Sequence, residues 1–189
     1  MTAGQDKLLS ILTGILSEYQ QAFADKAYSD ENNDHDVLMD VFGITPELKR
    51  ENRQYWGREL GMCWQRLVIE VCRNKCKEFK PALRFGADEP CDLVVGNIAI
   101  DTKYRIGSGD SGTLKKFKAY GPLLKEKGFT PALLIIRTDN LPAAITACKA
   151  GGWVVYTGAA TFKYLQELTG FNVLGFLEER AQTHQVDRS

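Results

Sequence analysis

Two aspartates and a lysine, Asp92, Asp101 and Lys103, flank short β-prone runs in the stretch Pro90-Cys91-Asp92-Leu93-Val94-Val95-Gly96-Asn97-Ile98-Ala99-Ile100-Asp101-Thr102-Lys103. Residues 93–95 and 98–100 are rich in β-branched side chains, and Gly96-Asn97 between them tolerates the positive φ angles of a tight hairpin turn. Asp92 opens the first strand and Asp101 closes the second. An antiparallel hairpin sets those ends side by side, so the two carboxylates can share one hard cation through oxygen ligands. Side chains alternate along a strand, so Asp101 and Lys103 project from one face while Thr102 points away. A divalent ion on two carboxylates with an ammonium beside it is the set of groups that phosphodiester hydrolysis uses. An ordinary exposed hairpin with solvated terminal charges fits the same residues, because the spacing alone is common. Placement at the ends of two paired strands is what sets the trio apart.

Such a site needs a frame, and the surrounding pattern supplies one. Apolar residues at 8, 9, 11, 12, 15, 16, 19 and 23 recur at three- and four-residue intervals, which predicts an amphipathic helix that lies on the core or pairs with a second subunit. Residues 30–40 read as an acidic loop lacking the glycine and glutamate of a calcium loop, and Thr45-Pro46-Glu47 as a helix start. A longer helix is expected over about 55–77, with Leu60, Trp64, Leu67, Val68 and Val71 as its buried stripe. Residues 83–85 suggest a first strand and 86–90 a turn before the hairpin. After Lys103, a Gly- and Ser-rich loop at 107–112 leads into a helix over about 113–127, and the apolar run 131–137 reads as a strand covered on both faces. A helix at 142–149, a strand at 153–156 and a helix at 159–168 complete the pattern. The expected fold class is therefore α/β, a mixed β-sheet flanked by helices.

Length and composition agree with one domain. The chain has 189 residues, 44% of them hydrophobic, and no apolar run of membrane-spanning length. Met1 to Ser10 lacks a signal-peptide pattern, so the cytoplasm is the expected compartment and the five cysteines are expected reduced. Only two histidines and no CxxC pair make a zinc site a poor reading of Cys72 and Cys76. Net charge is zero, yet residues 49–80 carry nine basic groups against four acidic and residues 103–127 seven against two. Two positive segments flanking the hairpin suit a polyanion held over a metal centre, although solvated helix faces are the commoner cause of any one such run. The 107–112 loop matches neither the Walker nor the dinucleotide pattern, so no nucleotide cofactor is expected.

Across residues 55–157 the chain resembles the PD-(D/E)xK nuclease superfamily, and within it the ApaLI-like type II restriction endonucleases. The likeness rests on the helix before the hairpin, on Asp92, on Asp101-Thr102-Lys103, on the following helix and buried strand, and on the segments 102–112 and Ala150-Gly151-Gly152-Trp153. It implies a restriction-endonuclease-like core within a single domain over 1–189, with 1–54 an N-terminal helical segment available for dimerisation and 158–189 a C-terminal helix and tail. It implies Asp92, Asp101 and Lys103 as catalytic residues and Mg2+ as cofactor, held by Asp92, Asp101 and the Thr102 backbone carbonyl. The proline of the superfamily motif stands one residue further from Asp92 here. The acid many members supply from the preceding helix has two alignments: the pattern Gly61, Gln65, Val68 puts a glutamine there, whereas Glu70 carries an acid on the other edge of the stripe. Glu70 is taken as the fourth ligand, against an ordinary surface carboxylate. The implied activity is Mg2+-dependent, sequence-specific cleavage of double-stranded DNA by a homodimer. Arg105, Ser108 and Ser111 would approach bases, and Lys115, Lys116 and Lys118 phosphates. A structure-selective nuclease of the junction-resolvase or repair type, or a non-catalytic DNA-binding protein, shares the same core.

Overall fold

The computed structural model describes residues 3–24, 53–106 and 111–180, and the side chains of all of these except 3, 5, 53–57 and 111–113. The expected acidic loop at 30–40, the helix start at 45–47, most of the 107–112 loop and the tail from 181 lie outside the described residues. The elements run α1 (Ala3–Ala24), α2 (Arg53–Lys75), β1 (Phe79–Pro81), β2 (Leu93–Val95), β3 (Ile98–Lys103), α3 (Ser111–Glu126), β4 (Thr130–Ile135), α4 (Pro142–Ala150), β5 (Val154–Thr157), α5 (Ala159–Thr169) and α6 (Val173–Arg180). The strands form one five-stranded mixed sheet in the order β1-β2-β3-β4-β5. The pairs β1·β2 and β2·β3 are antiparallel, and β3·β4 and β4·β5 are parallel.

Strand alternation divides the sheet into two faces. Leu93, Val95, Ile100, Ala132 and Leu134 point to one side, where Trp64, Leu67, Val68 and Val71 of α2 pack with Leu8, Leu12, Ile15, Tyr19 and Phe23 of α1. Leu165, Val173 and Phe176 of α5 and α6 complete that layer. Val94, Ala99, Leu133 and Ile135 point to the other side, under Phe117 and Leu124 of α3 and Ala144 and Cys148 of α4. Side chains such as Leu93, Ile100 and Leu134 are fully buried, each contributing about 1.5–3 kcal/mol. The result is a helix-sheet-helix sandwich with β3 and β4 at its centre.

One expectation needs correction. The first strand is Phe79–Pro81 rather than 83–85, because its ladder partner is β2, with Phe79 opposite Val95 and Pro81 opposite Leu93. Phe85 forms only an isolated bridge with Asp88. Of the two readings of the α1 stripe, the structure shows the one on the core: it packs against α2, where Glu18 also pairs with Arg66 at 2.5 Å. The helices α1, α5 and α6 share one core with α2 and the sheet. All five cysteines are free thiols, Cys72 among the fully buried ones. No described helix is long and apolar enough to cross a membrane.

Candidate active site

The hairpin forms as its residue types require. Leu93 pairs with Ile100 and Val95 with Ile98, and Gly96 alone takes a positive φ, +59°, at the turn. The Asp92 amide continues the ladder by donating to the Ile100 carbonyl at 2.8 Å, which brings Asp92 level with Asp101. Asp92 precedes the strand, so alternation does not fix its side chain. Its Oδ2 accepts from the Thr102 amide at 2.7 Å and the Thr102 hydroxyl at 2.6 Å, and its Oδ1 accepts from Gln65 Nε2 at 2.6 Å. Three neutral donors on β3 and α2 therefore orient one carboxylate.

Asp101 lies beneath α3 and lines the same cavity as Asp92. It is buried, and its Oδ2 accepts from Lys103 Nζ at 2.6 Å. Burial pushes the Asp101 carboxyl up to about 6, against the pull of the Lys103 charge and with a further push from Asp92. Lys103 Nζ also donates to the Thr102 carbonyl at 2.9 Å. Burial works to lower the Lys103 pKa, but the Asp101 and Asp92 carboxylates outweigh it and hold the ammonium above the usual lysine range. The Phe117 ring lies 6.0 Å from that ammonium.

Asp92, Asp101 and Lys103 open into a cavity of about 520 Å3. Its far wall is Lys116, Phe117 and Tyr120 of α3 with Trp153 behind them, and its lip is the 87–90 segment. Glycines set how closely α3 lies over the sheet: a Cβ at Gly121 would overlap the Gly151 carbonyl, and one at Gly151 would overlap the Phe117 carbonyl. Trp153 Nε1 donates to that same Phe117 carbonyl at 2.9 Å. Across the cavity the Tyr120 hydroxyl donates to Asp88 Oδ1 at 2.7 Å, a bond that raises the phenol pKa and keeps it a donor.

The other expected residues divide. Glu70 pairs with Arg73 one turn along α2 and does not line the cavity, so it is not brought to the hairpin. Five residues separate it from Gln65, about 140° around the helix. Gln65 is the one that reaches Asp92. Arg105 is tied to the Asp139 carbonyl at 2.9 Å and its carboxylate at 3.1 Å. Lys115 and Lys118 are exposed on α3 outside the cavity, which Lys116 lines. Ser108 and the Ser111 side chain lie outside the described residues. Asp88, Tyr120 and Trp153 escaped sequence reasoning; the helical spacing of Tyr120 from Lys116 was the available signal.

No protein-family model matches the chain, and neither the curated proteins nor the solved structures yield a match.

Among the described residues no three His, Cys, Asp or Glu side chains cluster as a metal cage. The donor set at the hairpin is instead two carboxylates and a carbonyl oxygen. Those are hard donors, and Mg2+ commonly takes one or two carboxylates and completes its shell with water and substrate phosphate. The residues present fit an open Mg2+ site of that kind.

Proposed function

We propose that this protein is a Mg2+-dependent endonuclease of the type II restriction class, acting on double-stranded DNA through a restriction-endonuclease-like core. The observation that carries the reading is the Lys103 ammonium, bonded at once to Asp101 Oδ2 at 2.6 Å and to the Thr102 carbonyl at 2.9 Å, beside an oriented Asp92. The oxygens that would hold the metal already gather around a cation in the free chain. The hairpin, the crossover through α3 and the parallel strand β4 support the fold assignment.

Asp92, Asp101 and the Thr102 carbonyl would hold Mg2+, which when bound supplies a more acidic water and a counter-charge for the phosphate oxygens. The rest falls to the chain. Gln65 and Thr102 keep Asp92 from swinging away, so its geometry costs no reorganisation. Lys103 is protonated at neutral pH and acts as a charge, not as a base: in the substrate complex it exchanges its present acceptors for an oxygen of the scissile phosphate. Phe117 and Trp153 exclude water from one wall. Double-strand cleavage at a twofold-symmetric sequence calls for two such centres, hence a homodimer joined elsewhere than through the apolar stripe of α1.

The test is incubation of purified protein with supercoiled and linear plasmid in Mg2+ or EDTA, with fragment ends sequenced. Discrete fragments that vanish in EDTA support the reading. Cutting confined to branched or damaged DNA redirects it to a structure-selective nuclease, and DNA binding without Mg2+-dependent cutting to a non-catalytic binding protein.

A further inference from the structure

The cavity has a second cationic wall that the hairpin trio does not use. Lys116 and Tyr120 stand four residues apart on α3, hence on one face of that helix, and both line the cavity that holds Asp101 and Lys103. Lys115 and Lys118 do not line it. Lys116 enters no ion pair among the described residues. Opposite this wall is Asp88, whose backbone is pinned by reciprocal bonds with Phe85 of 2.9 and 3.2 Å across a turn with Gly86 at φ +64°. Its carboxylate takes the Tyr120 hydroxyl at 2.7 Å. An anionic oxygen of the chain itself thus occupies a donor that faces the same cavity as the Lys116 ammonium.

We propose that Lys116 and Tyr120 form the seat for a backbone phosphate next to the scissile one on the same strand, and that the Asp88 carboxylate fills this seat in the free protein. The proposal rests on the nuclease reading for its substrate. At about 520 Å3 the cavity is in the range of sites for small molecules, so it takes a short piece of one strand while the duplex stays outside. A phosphate oxygen and a carboxylate oxygen accept the same charge-assisted hydrogen bond from a phenol, and Lys116 adds a positive charge on the same wall. Only the Asp88 side chain must rotate to release the seat, since its backbone is held by Phe85. An incoming phosphate therefore competes with Asp88 for Tyr120 and is repelled by it. This makes Asp88 a built-in competitor whose removal strengthens binding, and Lys116 a cleavage-site contact distinct from the other lysines of α3.

Fluorescence anisotropy with a labelled 20-base-pair duplex, on the full chain carrying Asp101→Asn so that nothing is cut, reads the seat directly. Lys116→Ala is expected to weaken binding about tenfold and Lys115→Ala less than about threefold at the same salt. Tyr120→Phe is expected to weaken it about threefold. Asp88→Asn, which keeps an acceptor for Tyr120 and so keeps the turn, is expected to tighten binding about threefold or more at low salt, with the gain fading as salt screens the charge. Equal losses for Lys116→Ala and Lys115→Ala, or unchanged or weaker binding for Asp88→Asn with an unchanged melting temperature, overturn the proposal. Cleavage assays with Asp101 restored separate the two readings. Wild-type protein that binds with this pattern and never cuts refutes the nuclease and keeps the seat. Wild-type protein that cuts while the pattern is absent refutes the seat alone, and absence of DNA binding refutes both.

Discussion

The two carboxylates that meet across the β2–β3 hairpin are held in opposite ways. Asp92 is wrapped by neutral donors, Gln65 and both polar groups of Thr102, and its orientation is complete without any cation. Asp101 is buried beneath α3 with the Lys103 ammonium as its hydrogen-bond partner, and its carboxyl is pushed up to about 6. One carboxylate is thus fixed in position, and the other is under-compensated in charge. Under the proposed function, a divalent ion would gain geometry from the first and relieve the second.

The largest effect expected from breaking this arrangement is on cleavage. Asp101→Asn and Lys103→Ala should each lower the cleavage rate by about a thousandfold or more, roughly 4 kcal/mol of transition-state stabilisation, while duplex binding largely survives. Gel assays over a dilution series measure this, and a variant that cuts at the wild-type rate removes the hairpin from catalysis. Next comes the packing that keeps Asp101 dry. Gly121→Ala drives a methyl into the Gly151 carbonyl and must lift α3, at a cost of about 3 kcal/mol in chemical denaturation. An unchanged midpoint would show that α3 does not set the depth of the site.

The charge imbalance at Asp101 has its own signature in pH. Burial raises its carboxyl from the ordinary 3.8 of the unfolded chain to about 6, so between these values the folded chain keeps a proton the unfolded chain has lost. The contribution to stability is full below about pH 4 and is lost as pH rises through 6, by at most about 3 kcal/mol. Asp101→Asn should therefore melt higher than wild type at pH 8 and no higher at pH 4. Equal melting temperatures at both values would mean that Asp101 is adequately compensated and that the contrast with Asp92 is false.

How much of this was legible in the sequence follows the distance between partners. Gly96-Asn97 between two β-branched runs announced the hairpin, and period-four apolar stripes announced α1 and α2, because those signals are local. The first strand was misread at 83–85 because Phe79 is a strand residue only through its pairing with Val95. The Tyr120 to Asp88 bond joins residues 32 apart and left no trace that spacing could reveal. Glu70 has the acid but lies on the other edge of the α2 stripe from Gln65, and the wheel alone leaves both edges open to the end of a sheet. The bond from Gln65 to Asp92 is what tells them apart.

That last point yields the smallest and most discriminating effect. If Gln65 only orients Asp92, Gln65→Ala removes one hydrogen bond, costing about 1 kcal/mol of stability and about tenfold in kcat, with KM for DNA nearly unchanged. Gln65→Glu sets a second carboxylate against Asp92. Like charges at that separation oppose each other unless a cation lies between them, so this variant should be less stable in EDTA and recover stability as Mg2+ is added. Glu70→Gln should alter neither kcat nor the Mg2+ response, since its partner is Arg73. A Gln65→Glu chain indifferent to Mg2+ would mean that a cation held by Asp92, Asp101 and the Thr102 carbonyl does not reach toward α2.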